Sequence, residues 1–165
     1  MATFQYIHSI LLILLCLSGA TNVSLISSQP SSWIHSCVTW YHQTTCWGEG
    51  DDGRLGLGSN TTYPLPPSHA VSLNADFIPI ATIGGYKHSC ALSDDGRVAC
   101  WGLNTFGTLG IGNTETVGDQ TEEMGDYLES VDLGTGFIAA QLVSALYHNC
   151  ALSTNHDVKC WVSCL

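Results

Sequence analysis

Two hydrophobic patterns divide the chain. The first, Ile10-Leu-Leu-Ile-Leu-Leu-Cys-Leu17, is one unbroken apolar run. After it, hydrophobic residues come only in short runs cut off by Gly, Asp, Asn or Pro. Ile78-Pro-Ile-Ala-Thr-Ile83 is such a run. Ser89-Cys-Ala-Leu-Ser93 and Arg97-Val-Ala-Cys-Trp101 follow it, separated by Asp94-Asp95-Gly96. Asp-Gly between two β-rich runs signals a hairpin, because glycine supplies the positive φ that the turn needs. A turn centred on Asp95 sets Leu92 opposite Val98 and Cys90 opposite Cys100. A turn centred on Asn155 sets Cys150 opposite Cys160, and a two-residue turn at Tyr41-His42 sets Cys37 opposite Cys46. Opposed residues have Cβ atoms about 4.5–5.5 Å apart, close enough to bridge with slight adjustment. One disulfide per hairpin is therefore expected, with Cys164 left over.

The short runs recur. A shift of 54 lays Cys46-Trp47-Gly48 on Cys100-Trp101-Gly102, and the match continues from Gly53/Gly107 to Gly58/Gly112. A shift of 60, starting at Val71, aligns Val131, Leu133, Phe137, His148, Cys150, Val158, Cys160 and Trp161 with their earlier counterparts. A third copy begins at His35-Ser36-Cys37. A period of this length, built from β hairpins, marks a propeller or array.

His88-Ser-Cys-Ala-Leu-Ser-Asp-Asp-Gly-Arg-Val-Ala-Cys-Trp-Gly102 and Asn104-Thr-Phe-Gly-Thr-Leu-Gly-Ile-Gly112 resemble repeats of the regulator of chromosome condensation family, whose members fold as seven-bladed β-propellers. The resemblance covers residues 33–161, nearly all of the chain after the leader. The paired cysteines, the leader and the insertion beginning at Gly112 are most similar to the exported, disulfide-bearing branch of that family. The implied fold is all-β, an incomplete propeller of about two and a half blades made of stapled hairpins. After Trp161 the chain reads Val-Ser-Cys-Leu instead of the family's Gly-x-Asn, so 162–165 reads as a truncated tail. Open blades would expose strand edges and favour self-association.

The glycines of Gly48-Glu-Gly-Asp-Asp-Gly53 spell G-x-G-x-x-G. A phosphate cradle needs a helix after the loop, whereas Leu55-Gly-Leu-Gly58 follows here. A calcium loop keeps carboxylates at alternating positions, and the second copy, Gly102 to Gly107, has lost them. The stretch reads as turn structure, with Gly50 and Asn104 expected to share a left-handed conformation. His88 with Cys90 and Cys100 could imitate a zinc site, but the repeat-wide hairpin pattern favours disulfides and a packed histidine. No serine lies in a nucleophile elbow. No cofactor, metal or catalytic residue is expected, and the chain does not read as an enzyme.

The apolar run followed by Ser18-Gly19-Ala20 reads as a secretory signal over 1–20, cut after Ala20, with 21–32 as a linker. Its departure is an amino-terminal segment without Lys or Arg; an uncleaved anchor is the alternative. Export permits disulfides and would place the protein outside the cell. Asn60-Thr61-Thr62 is then a glycosylation sequon beside a Pro-rich turn, and Asn22-Val23-Ser24 is another. Charge narrows the partners. Lys and Arg total 4 against 14 Asp and Glu, a net charge of -10, which disfavours nucleic acid. Six of the acids, Glu115, Asp119, Glu122, Glu123, Asp126 and Glu129, sit in the segment 113–130 with no cation among them. It is either a solvated insertion or a recognition loop. The leading functional reading is a non-enzymatic, exported protein-binding or surface structural module. The alternatives implied by resemblance are guanine-nucleotide exchange on a small GTPase and inhibition of a secreted enzyme.

Overall fold

The computed structural model describes residues 23–24, 34–67 and 69–162. The leader over 1–20, Cys16, Asn22, nearly all of the linker and Cys164 lie outside the described residues. Three antiparallel meanders carry the fold, each with its strands side by side in chain order. The first sheet contains β1 (Val23–Ser24), β2 (His35–Trp40) and β3 (Gln43–Gly48). The second contains β4 (Pro79–Gly84), β5 (His88–Ser93) and β6 (Val98–Gly102). The third contains β7 (Ala139–Ser144), β8 (Asn149–Ser153) and β9 (Val158–Trp161). The hairpin registers pair Cys37 with Cys46, Cys90 with Cys100 and Cys150 with Cys160. Each pair is disulfide-bonded. In the first hairpin Tyr41 and His42 have φ of 45° and 60°, the left-handed pair that a two-residue turn matched to strand twist requires. Gly96 takes φ 86° in the second hairpin, and His156 takes 69° at the same place in the third.

The sheets bury their faces against one another in sequence order. Between the first and second sheets lie Cys37, Cys46, Leu55, Val71, Phe77 and Trp101. Between the second and third lie Ile83, Leu92, Val98, Leu109, Val131 and Leu133, with Leu142 and Trp161 packed against them. The corresponding face of the third sheet has no such cover among the described residues. Ile83 is 7% exposed and its counterpart Val143 56%; Val98 is 0% exposed and its counterpart Val158 64%. The first joint also differs in kind from the second. Thr39, Thr44 and Thr82 meet there in a buried ring of hydroxyls at 3.0, 2.7 and 2.9 Å. Repeat counterparts of those three, Leu92, Val98 and Leu142, fill the same place in the second joint with hydrocarbon.

Each joint is closed by one carbonyl. Arg54 O accepts from Ser89 Oγ at 2.9 Å and from Trp101 Nε1 at 3.1 Å. Thr108 O accepts from Asn149 Nδ2 at 2.9 Å and from Trp161 Nε1 at 3.0 Å. A histidine of the preceding blade completes the chain. His35 Nε2 lies 2.8 Å from Ser89 Oγ, and His88 Nε2 lies 2.8 Å from Asn149 Oδ1. Because the Ser89 hydroxyl already donates to Arg54, His35 must donate to it through a protonated Nε2. Each indole lies over a glycine, Gly56 or Gly110, where an added Cβ would come within 2.7 Å of the ring.

The stretch 48–58 is turn structure, but the left-handed assignment for Gly50 and Asn104 fails. Gly50 has φ −100°, and Asn104 is not among the positive-φ residues. Gly50 is needed for close approach, since a Cβ there would stand 2.0 Å from the Thr61 carbonyl oxygen. Asn104, fully buried, acts through its amide instead: Nδ2 donates to Asn113 O at 3.0 Å and Oδ1 accepts from Leu109 N at 2.9 Å.

Two expectations follow. Val98→Asp should cost about 4 kcal/mol or more, through an unpaired buried charge. The same change at Val158 should stay within about 0.5 kcal/mol. Denaturant melts of the two variants check this; equal losses would mean the third sheet is covered like the second. The second expectation concerns acid. Burial lowers His35 to about 3, aided by the nearby Arg54 charge, and lowers His88 to about 4 against the opposing bond from Asn149. The unfolded chain therefore binds protons that the folded chain refuses below about pH 6.5. Stability should be full above that pH and fall toward pH 4, by up to about 1.4 kcal/mol per pH unit for each histidine. Thermal melts across this range should show the slope, and His88→Gln should shrink it.

Candidate protein-binding surface

The segment 113–130 leaves the second blade and returns before the third, and it is tied down along its length. Asn113 O accepts from Asn104 at its start. Gly102 and Val117 exchange backbone bonds of 2.7 and 3.2 Å. Gly125 N donates to Ser72 O at 2.9 Å, Ser130 bridges to Ala99, and Val131 N reaches Val98 O at 2.7 Å. Met124 and Leu128 are buried under it.

The six acids have different jobs. Glu123 is consumed internally. Its Oε2 accepts from the amides of Gly118, Asp119 and Gln120 at 2.8, 3.1 and 3.0 Å, capping the short 3₁₀ turn Thr121–Glu123. That is a carboxylate at the positive end of a turn. Asp119 is half-buried. Glu115, Glu122, Asp126 and Glu129 are exposed, with Tyr127 68% exposed among them. Glu122, Tyr127 and Glu129 rim a groove of about 190 Å³ floored by Ile111, Val117 and Leu128.

None of the chain's four cations pairs with these acids. Arg54 is buried; its Nε donates to Asp51 O at 2.6 Å and its Nη2 to Asp52 Oδ2 at 3.0 Å. Arg54 Nη1 lies 3.8 Å from Glu49 Oε2 and has no hydrogen-bond partner among the described residues. Lys87 Nζ reaches the same Asp52 oxygen at 3.0 Å. Arg97 binds Asp95 at 2.7 Å and Asp76 at 3.2 Å. Lys159 donates to Leu133 O and stands 5.1 Å from the Phe137 ring centre.

The remaining candidates are placed as follows. The six hairpin cysteines are bonded in three pairs, and His88 turns to Asn149. Asn60 is exposed, its Oδ1 accepting from Gly53 N at 3.0 Å, while Thr62 Oγ1 accepts from Gly50 N at 3.2 Å. Sequence reasoning missed Tyr127 and the groove floor, although Ile111, Val117 and Leu128 are among the few apolar residues of a polar stretch.

Comparison with known proteins agrees with this architecture. A family model described as the regulator of chromosome condensation (RCC1) repeat matches residues 82–108. The human protein named probable E3 ubiquitin-protein ligase HERC6 is 35% identical over 107 residues, 65% of this chain and 10% of its own length. Human E3 ubiquitin-protein ligase HERC2 is 42% identical over 69 residues, 42% of this chain and 1% of that protein. The chain thus spans a tenth or less of these relatives. Among solved structures, human WBSCR16 superposes with a TM-score of 0.59 at 19% identity, over 78% of this chain and 31% of that one. Prp20p of Saccharomyces cerevisiae, whose structure was described with its binding to Gsp1p and histones, gives 0.56 at 19% identity, over 77% and 28%. With three consecutive stapled meanders around an RCC1 repeat, the described residues form an incomplete RCC1-like β-propeller.

Proposed function

We propose that this chain is an exported, non-enzymatic protein-binding module that recruits a basic partner through the segment 113–130. One observation carries the reading: four exposed carboxylates are held on a tied-down loop while every lysine and arginine of the chain is engaged elsewhere. The missing positive charge must come from solution or from a partner, and a preordered loop loses little entropy on binding. The ligase activity of the HERC proteins and the partners of Prp20p belong to those proteins. The exported setting is supported by three disulfides, which persist in oxidising compartments. In this reading 1–20 is a leader removed after Ala20, the repeat region runs over 33–161, and Asn60 carries a glycan. The uncovered third sheet supports self-association at high concentration. Secreted protein should have an intact mass beginning at Thr21, plus sugar; a full-length chain recovered from membranes would sink the export reading.

The binding reading is tested with poly-lysine as the probe. Changing Glu115, Glu122, Asp126 and Glu129 to their amides should weaken binding about tenfold or more at low salt and matter little at high salt. Affinities that match the unchanged protein at every salt concentration would leave the loop as a solvated insertion.

A further inference from the structure

Resting on that reading, we infer that the groove between Glu122 and Glu129 is a subsite for one lysine or arginine side chain of the protein partner. Its size selects the class of occupant. Pockets for small molecules and cofactors run from about 300 Å³ upward, and this one is about 190 Å³. It is suited to a single side chain. Its chemistry is split in the same way as a basic side chain. The floor, made by Ile111, Val117 and Leu128, is hydrocarbon and continuous with the core beneath the second blade. The rim carries the carboxylates of Glu122 and Glu129 and the exposed Tyr127 ring. Lysine and arginine bury an aliphatic stem while keeping the charged head at the edge, and an aromatic face attracts such a head. An apolar partner residue would strand the two rim carboxylates, and an acidic one would be repelled by them.

The rim acids have no competing claim. Glu123, the third carboxylate lining the groove, is already satisfied by three backbone amides. None of the hydrogen bonds or ion pairs of the four cations involves Glu122 or Glu129. With Glu123 spent on the backbone and the rim acids unspent, the groove attracts a cation at its mouth. Bare electrostatic attraction depends on charge, whereas a stem-binding groove also depends on side-chain length.

The experiment compares two oligomers of ten residues, one of lysine and one of 2,4-diaminobutyrate, each titrated into the full chain at pH 6.5. They carry equal charge and differ by two methylenes per side chain. Each fully buried methylene is worth about fourfold in affinity, so the lysine oligomer should bind about tenfold more tightly. Glu122→Gln with Glu129→Gln, or Tyr127→Ala alone, should erase most of that preference; all three residues are exposed, so folding is spared. Glu115→Gln with Asp126→Asn should weaken both oligomers alike and keep the preference. Equal binding of the two oligomers would overturn the groove and leave charge recruitment standing. Binding of neither would overturn the basic-partner reading itself.

Discussion

The peptide carbonyl at Arg54, repeated at Thr108, is the atom on which the blades meet. Each takes two donors from the next blade, one from the side chain that opens the hairpin and one from the indole that closes it. A buried carbonyl or donor left unmatched costs about 1–3 kcal/mol, so the three groups fix one another. The connecting loop cannot shift without releasing the indole, and the hairpin cannot rotate without releasing the loop. Everything suspended between the second and third blades, the acidic segment included, is held by that triangulation. The histidines extend it: a neutral ring of the preceding blade donates into the same network, which couples blade contact to the protonation of His35 and His88, the first residues of β2 and β5.

Much of this was legible in the residues. Asp-Gly between β-rich runs set the second register, and the cysteine spacing then fixed the other two by repetition. The two-residue turn at Tyr41-His42 was readable only because Cys37 and Cys46 demanded it; tyrosine, unlike histidine, is not enriched in the left-handed region. What periodicity could not supply were contacts between units. The histidines were visible as a repeating element, yet their partners, Ser89 and Asn149, lie in the next copy and differ chemically. Gly50 and Asn104 occupy one repeat position and solve different problems there. Glycine admits a neighbouring strand of backbone, and asparagine knits a loop with its amide. Glu123 looked like its neighbours in charge, and only the fold separates a turn cap from an exposed acid.

Scarcity of cations shapes the electrostatics as much as abundance of acids. Two of the four converge on Asp52, and a third braces Asp76 and Asp95 beside the Phe77 ring. The positive charge is thereby spent on the scaffold near the hairpin turns and loops. The long insertion keeps its field uncompensated, and the rigid scaffold that positions it is stabilised by the charges it lacks.

The ring of hydroxyls formed by Thr39, Thr44 and Thr82 gives the blades an address. The three hydroxyls bond one another in a cycle across the first joint. Stack a second blade on another copy of itself, and Thr82 would meet Leu92 and Val98, hydrocarbon in place of two hydroxyls. A third blade in the second blade's place would set the Leu142 hydrocarbon against the Thr39 and Thr44 hydroxyls. Homologous units that share a backbone could otherwise stack in any sequence, or trade places between chains. A patch of matched polarity in one joint and hydrocarbon in the other makes each neighbour recognisable, so the order of the blades is written into their faces as well as into the peptide that links them.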